Sequence, residues 1–191
     1  MKIGDLKFLV DAIGRQFGLA ATHSGDGDGW TYTAVDGSTT RYRFDAVKSM
    51  DDWTTDVLGV LKWLWDAKDW IKARLPPAEA GNVETHVNNT PALALCADLA
   101  NLTKHVRPRE GKSGRWPTLG PARRIAPQES IAFISAIGDD ELTIGFQHPE
   151  LIEFRLPVLD RRGVEFDDAG DVAQRAWQAW RDFMSARGLL K

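Results

Sequence analysis

Asp98, Asn101 and His105 are the residues whose types and spacing could do chemistry together. On a helix advancing about 100° per residue they fall within an arc of about 60°. That arc borders a Leu95/Leu99/Leu102 stripe, and Lys104 points away from it. A carboxylate there could orient a neighbour or hold a proton, and an amide could fix a substrate oxygen. An imidazole that titrates near neutral pH could act as general acid or base. The same strip is also what a helical core shows at its border when buried polar groups satisfy nearby loop backbone. Lys104 and His105 in a last helical turn would in addition complement the helix dipole.

A second candidate follows directly in the chain. Lys104, Arg107, Arg109, Lys112, Arg115, Arg123 and Arg124 are seven cations with only Glu110 between them, so this segment carries +6 on a chain whose net charge is −3 and leaves −9 for the rest. Such a segment attracts phosphates and binds them in a salt-dependent way. Arginine predominates, which suits forked contacts to phosphate. Trp116 could stack a nucleobase, a contact worth about 1–3 kcal/mol. The alternative is a solvated loop that pairs with this protein's own acidic surface or with an acidic partner.

The other chemistry-bearing residues carry less. His23-Ser-Gly-Asp26-Gly-Asp28-Gly resembles a calcium loop only superficially, because counting from Asp26 puts Gly37 where an EF-hand needs Glu. Glu84, His86, Asn88 and Asn89 make no zinc spacing. His148 before Pro149 reads as a turn residue. Cys96 falls on the core side of its helix, with no positioned His to activate it. No phosphate-cradling glycine motif is present, which disfavours a nucleotide-cofactor enzyme. The expectation is therefore no cofactor and no metal.

The elements that must hold these residues follow from periodicity. Residues 5–18 read as a short amphipathic helix. Trp30 to Phe44 reads as a β-hairpin around Asp36-Gly37-Ser38. Residues 49–75 make the strongest helix, with Ser49 as cap, Asp51 and Asp52 in its first turn, and Pro76-Pro77 as its stop. It is apolar on two sides: Trp53, Val57, Leu61 and Leu64 make one stripe, and Trp63 and Trp70 lie on another. A second face of this kind suggests a homodimer or protein-partner contact. Residues 79–106 are helical with a break at 89–91, since Thr90-Pro91 makes an N-cap and N1 pair. Residues 107–128 read as a long loop rich in Pro and Gly. Residues 130–166 alternate as an antiparallel meander, and Asp168 caps a closing helix over 169–188.

These elements bound the whole. The chain has 191 residues, 43% of them hydrophobic and 27% charged, an ordinary globular balance. No apolar run approaches the ~20 residues of a membrane span. Asp5 and Asp11 interrupt the N-terminal apolar stretch, so it makes a poor signal peptide. A single cysteine excludes an internal disulfide. The expectation is a cytoplasmic protein with no membrane contact. Its fold is expected to be a single α+β domain over residues 1–191: three to four helices bundled around Trp53–Leu75, a small antiparallel meander, and an N-terminal hairpin that extends that sheet or stands apart.

The phrase LCADLANLTKH resembles the D-x-x-N-x-x-K-H helix of a family of uncharacterised bacterial proteins. In that family a short strand region and a closing helix with a W-x-x-F pair follow, matched here by Trp180 and Phe183. The resemblance spans roughly residues 90–185 and implies a bacterial accessory or defence protein without naming an activity. The helical part also resembles HEPN-like bundles, many of which are ribonucleases or toxin components. Their Arg-then-His motif has no counterpart here, so their catalytic assignment does not carry over. Two functions follow as expectations. The first is a binding module whose basic loop contacts RNA, DNA or an acidic partner. The second is a metal-independent ribonuclease-like enzyme, with His105 as acid/base, Asp98 as its orienter, and Asn101 with Lys104 or Arg107 as phosphate stabilisers.

Overall fold

The computed structural model describes residues 5–102, 111–138 and 140–190. The fold is α+β. In chain order the elements are α1 (Leu6–Ala21), β1 (Asp28–Thr33), β2 (Thr39–Asp45), α2 (Met50–Lys72), α3 (Ala80–Asn89) and α4 (Pro91–Leu102). Then come β3 (Thr118–Leu119), β4 (Arg123–Ile125), β5 (Ile131–Ile137), β6 (Glu141–Phe146), β7 (Glu153–Arg155), β8 (Pro157–Leu159), β9 (Glu165–Asp168) and α5 (Ala169–Ser185). They gather into two compact units. One takes its residues from 1–19, 55–121 and 156–191, the other from 20–54 and 122–155.

The first unit is mostly helical. Val57, Val60, Leu61, Leu64, Ala67 and Ile71 form the buried stripe of α2. The second apolar side of that helix meets α1: Phe8 stacks on Trp70 at 5.7 Å and meets Trp63 edge-on at 6.4 Å. Trp63 and Trp70, expected at an interface, are half-buried in this intrachain packing. From the other direction come α4, whose Cys96 Sγ lies 3.5 Å from Leu61 O, and α5, whose Trp180 Nε1 donates to Leu64 O at 2.9 Å. Helix α4 is buried over Leu93–Ala100, so its polar residues are confined to few outlets. Thr90 is extended between α3 and α4, as a residue before proline should be. A three-stranded sheet, β3-β8-β9, completes the unit.

The second unit holds a four-stranded sheet in the order β1-β2-β6-β5. The hairpin β1–β2 turns at Asp36-Gly37-Ser38, where Asp36 Oδ1 accepts from Ser38 N at 2.9 Å and Gly37 has φ +85°. It extends the sheet: β2 runs parallel to β6, and β6 pairs antiparallel with β5. A two-stranded ladder, β4–β7, and the stack of Trp53 on Phe154 at 5.3 Å pack the rest.

Two expectations are corrected here. The single meander over 130–166 is in fact strands shared among three sheets. After β6 a 3₁₀ turn at Pro149–Leu151 redirects the chain, so β7 pairs with β4 and β8 with β3 and β9. Between β7 and β8 the Leu156 N–H leaves the ladders and donates to Asp168 Oδ2 at 2.8 Å. The loop expected over 107–128 contains β3 and β4, short strands that exist only because distant strands pair with them.

Candidate functional site

The site expected at the end of α4 is built around Asp98. This carboxylate is 7% exposed. Its Oδ1 accepts from Lys112 N at 2.7 Å, and its Oδ2 accepts from Ser113 N at 3.0 Å and from Ser113 Oγ. Gly111 is required beside it, because a Cβ at that position would sit 2.3 Å from the carboxylate. The turn then closes on itself, with Arg115 N donating to Ser113 Oγ at 3.2 Å. Asp98 is thus an anchor for the 111–115 turn, since a buried carboxylate is satisfied by donors that leave the helix end and return to it. Asn101 is half-buried near the C-terminus of α4. Lys104, His105, Arg107 and Arg109 lie outside the described residues.

The anchored turn forms one wall of a cleft of about 390 Å³ in the first unit. Asn88 of α3, Pro91 and Ala92 at the start of α4, and Asp167 and Arg175 around the start of α5 form the others. Lys112 Nζ donates to Glu84 Oε2 at 2.9 Å and lies 3.4 Å from Asn88 Oδ1. Arg175 Nη2 donates to Asp167 Oδ2 at 2.6 Å. Arg115 lies with its guanidinium 4.6 Å over the Phe166 ring and has no carboxylate partner among the described residues. Among the described residues the lining therefore holds three cations against one acid. In the first turn of α4 Pro91 has no N–H and Ala94 N donates to Thr90 O at 3.0 Å, so the amides of Ala92 and Leu93 carry the partial positive charge of the helix start.

Glu84 tunes this charge from outside the cleft. Hydrogen bonds from Lys72 and then Lys112 hold its carboxyl well below the usual carboxylate value of 4.5, at about 2. A folded-state pKa below the unfolded one contributes stability above the unfolded value. That stability is lost as pH falls from about 4.5 towards about 2. The side chain is 36% exposed, so screening limits the effect to about 1 kcal/mol or less. Glu84→Gln is expected to flatten the acid limb of a denaturant-midpoint series taken across that window. An acid limb as steep as that of the wild type would show that the two lysines do not stabilise the ionised form.

The remaining predicted residues have other duties. Arg124, expected to contact phosphate, is engaged within its own unit. In the second unit its guanidinium makes three 3.0 Å contacts to the Asp28 carboxylate and donates to Lys48 O at 2.9 Å, with the side chain only 9% exposed. Arg123 stands exposed on β4, opposite Arg155. Trp116 is half-buried, with Arg161 4.0 Å over its ring, so one ring face is already covered by the chain's own cation. His86 packs against Phe183 at 4.5 Å and donates from Nε2 to Ala179 O at 3.3 Å. Burial lowers its pKa below the imidazole norm, against the raising effect of that hydrogen bond. Burial pushes the Cys96 thiol far above the ordinary thiol range, which leaves it inert. Among the described residues no group of three His, Cys, Asp or Glu could hold a metal, and no helix is long and apolar enough to cross a membrane.

Arg175, Asp167 and Asn88 are cleft residues that sequence reading missed. Their only local signal was adjacency to the Thr90-Pro91 and Asp168 caps, which mark helix starts and hence places where anions are favoured. No family model, no curated protein and no solved structure matches this chain.

Proposed function

We propose that this protein is a binding module whose 112–115 turn takes phosphate groups of a nucleic-acid strand. The observation that carries this reading is the surplus of cations in the cleft, above all Arg115, which no carboxylate of the described residues neutralises. A cleft of about 390 Å³ is large enough for one phosphate and its sugar or base, in the range of small-ligand pockets. A forked guanidinium held on an aromatic ring keeps its donors free for oxygen acceptors. Lys104, Arg107 and Arg109 of the same basic segment would extend the contact along the strand.

No observation among the described residues favours the hydrolytic alternative. The Asp98 oxygens accept from Lys112 N, Ser113 N and Ser113 Oγ, which supports an anchoring duty for this carboxylate.

The test is the anisotropy of a short labelled single-stranded RNA titrated with the protein over a salt series. Binding should weaken steeply with salt, and Arg115→Glu should weaken it about tenfold and lower the salt slope by about one or more. Glu84→Gln, which releases Lys112, should tighten it. A flat salt response, or an Arg115→Glu protein that binds as well as the parent, would rule out this reading. Preference for an acidic peptide over RNA would reassign the cleft to a protein partner.

A further inference from the structure

Trp116, expected from the sequence to stack a nucleobase, carries the guanidinium of Arg161 4.0 Å over its ring. The register of β3 on β8 brings the two together. Thr118 pairs with Leu159, and the antiparallel count continued by two residues sets Trp116 beside Arg161. Arg161 opens the turn from β8 into β9. There Asp160 N donates to Val164 O at 2.9 Å, Gly163 N donates to Asp160 O at 2.9 Å, and Gly163 takes a left-handed φ of +77°. These bonds make a three-residue hairpin loop of fixed shape.

The two arginines of this loop have different partners. The Asp160 carboxylate takes Arg162: its Oδ1 accepts from Arg162 N at 2.8 Å and from Val164 N at 2.9 Å, and its Oδ2 accepts from Arg162 Nε at 3.3 Å. Arg161 is exposed, and no carboxylate pairs with its guanidinium among the described residues. A guanidinium laid flat on a ring keeps its rim of N–H donors turned outward. The same arrangement occurs one residue before Trp116, where the exposed Arg115 lies 4.6 Å over the Phe166 ring. The consecutive pair Arg115-Trp116 thus presents two forked cations of the first unit, one its own and one held by its ring.

We propose that Arg161, seated on Trp116, is a second phosphate-contact residue for a single nucleic-acid strand bound at Arg115, an inference that rests on the 112–115 turn being a phosphate site. Trp116 is then a positioning residue. Its ring holds the fork of Arg161 in place, which reduces the side-chain freedom lost when the fork closes on a phosphate. The strand runs from the cleft past the β8–β9 turn, and its contacts are to backbone phosphate.

A labelled single-stranded RNA titrated over a salt series decides the matter. Arg161→Ala should weaken binding about fivefold at low salt and lower the salt slope by about 0.7, the share of one phosphate contact on a single strand. Arg162→Ala, beside it and paired with Asp160, should leave the slope as it was. Arg161→Lys keeps the charge and loses the fork, so it should restore the slope and only part of the affinity. Trp116→Leu removes the seat and not the charge, so binding should weaken at an unchanged slope. Because the ring acts through Arg161, the double variant Arg161→Ala/Trp116→Leu should bind no worse than Arg161→Ala alone. Additive losses would show that Trp116 meets the RNA itself and would overturn the seating. An equal loss of slope in Arg162→Ala also overturns it, because the attraction would then belong to the whole turn. An Arg161→Ala protein that binds like the parent, while Arg115→Glu is impaired, sinks this inference and leaves the cleft as a phosphate site. An Arg115→Glu protein that binds like the parent sinks both. If Trp116→Leu fails to fold, the Arg161 and Arg162 variants still decide.

Discussion

Trp180→Ala is expected to cost about 3–5 kcal/mol of folding stability, the range for truncating a large buried aromatic. The side chain is fully buried, and it joins α5 to α2 through the 2.9 Å bond from Nε1 to Leu64 O. It also meets Phe183 edge-on at 5.9 Å and His86 at 5.6 Å, so one residue holds the contacts of three helices. Truncation leaves a cavity and a carbonyl without its side-chain donor, and two deficits in one place add. Against a typical total of about 5–15 kcal/mol, such a loss places the protein near the edge of folding. Trp180→Phe keeps part of the volume and loses the hydrogen bond, so it should fall between alanine and the parent. Urea titrations of the three proteins check the order. A loss below about 1 kcal/mol for alanine would show that α5 is not anchored by this ring.

Asp98→Ala is expected to cost about 2–4 kcal/mol, because hydrogen bonds to a charged acceptor are worth about 1.5–3 kcal/mol and two backbone donors lose theirs. Those donors belong to Lys112 and Ser113, 14 and 15 residues along the chain, so the cost is the release of a turn. Asp98→Asn keeps one acceptor oxygen but turns an amide N–H₂ toward a backbone donor, so it should recover only part of the loss. Two readouts move together if Asp98 is an anchor. Hydrogen exchange at the Lys112 and Ser113 amides should accelerate, and RNA affinity should fall although Asp98 touches no ligand. A residue acting in catalysis would leave stability and amide protection as they were. That pattern of results would restore the chemical role considered for the Asp98/Asn101/His105 row.

The same residues show how far the sequence could be read. Ser49 before Asp51-Asp52, Thr90 before Pro91 and Asp168 before α5 each signal a helix start that the structure contains, because capping is settled within three residues of chain. The Asp36-Gly37 turn is legible for the same reason. Periodicity places Trp63 and Trp70 on a second side of α2, but it names a face and not its occupant; in the structure Phe8 of α1 packs there. The cationic excess was also visible. What it could not show was that Arg124 is taken up by Asp28, 96 residues away, whereas Arg115 rests on an aromatic ring.

The sequence by itself determined the α+β class, the caps and turns, the amphipathic faces and the location of the basic segment. These depend on backbone preferences and on side chains a few residues apart. The tertiary structure alone decided that β2 runs parallel to β6, that β4 and β7 meet, that Asp98 receives the Lys112 and Ser113 amides, and that Arg115 rests on the Phe166 ring. Strand pairing and charge neutralisation depend on distance through space, and residues that lie far apart in the chain become neighbours only once the apolar faces have chosen their partners.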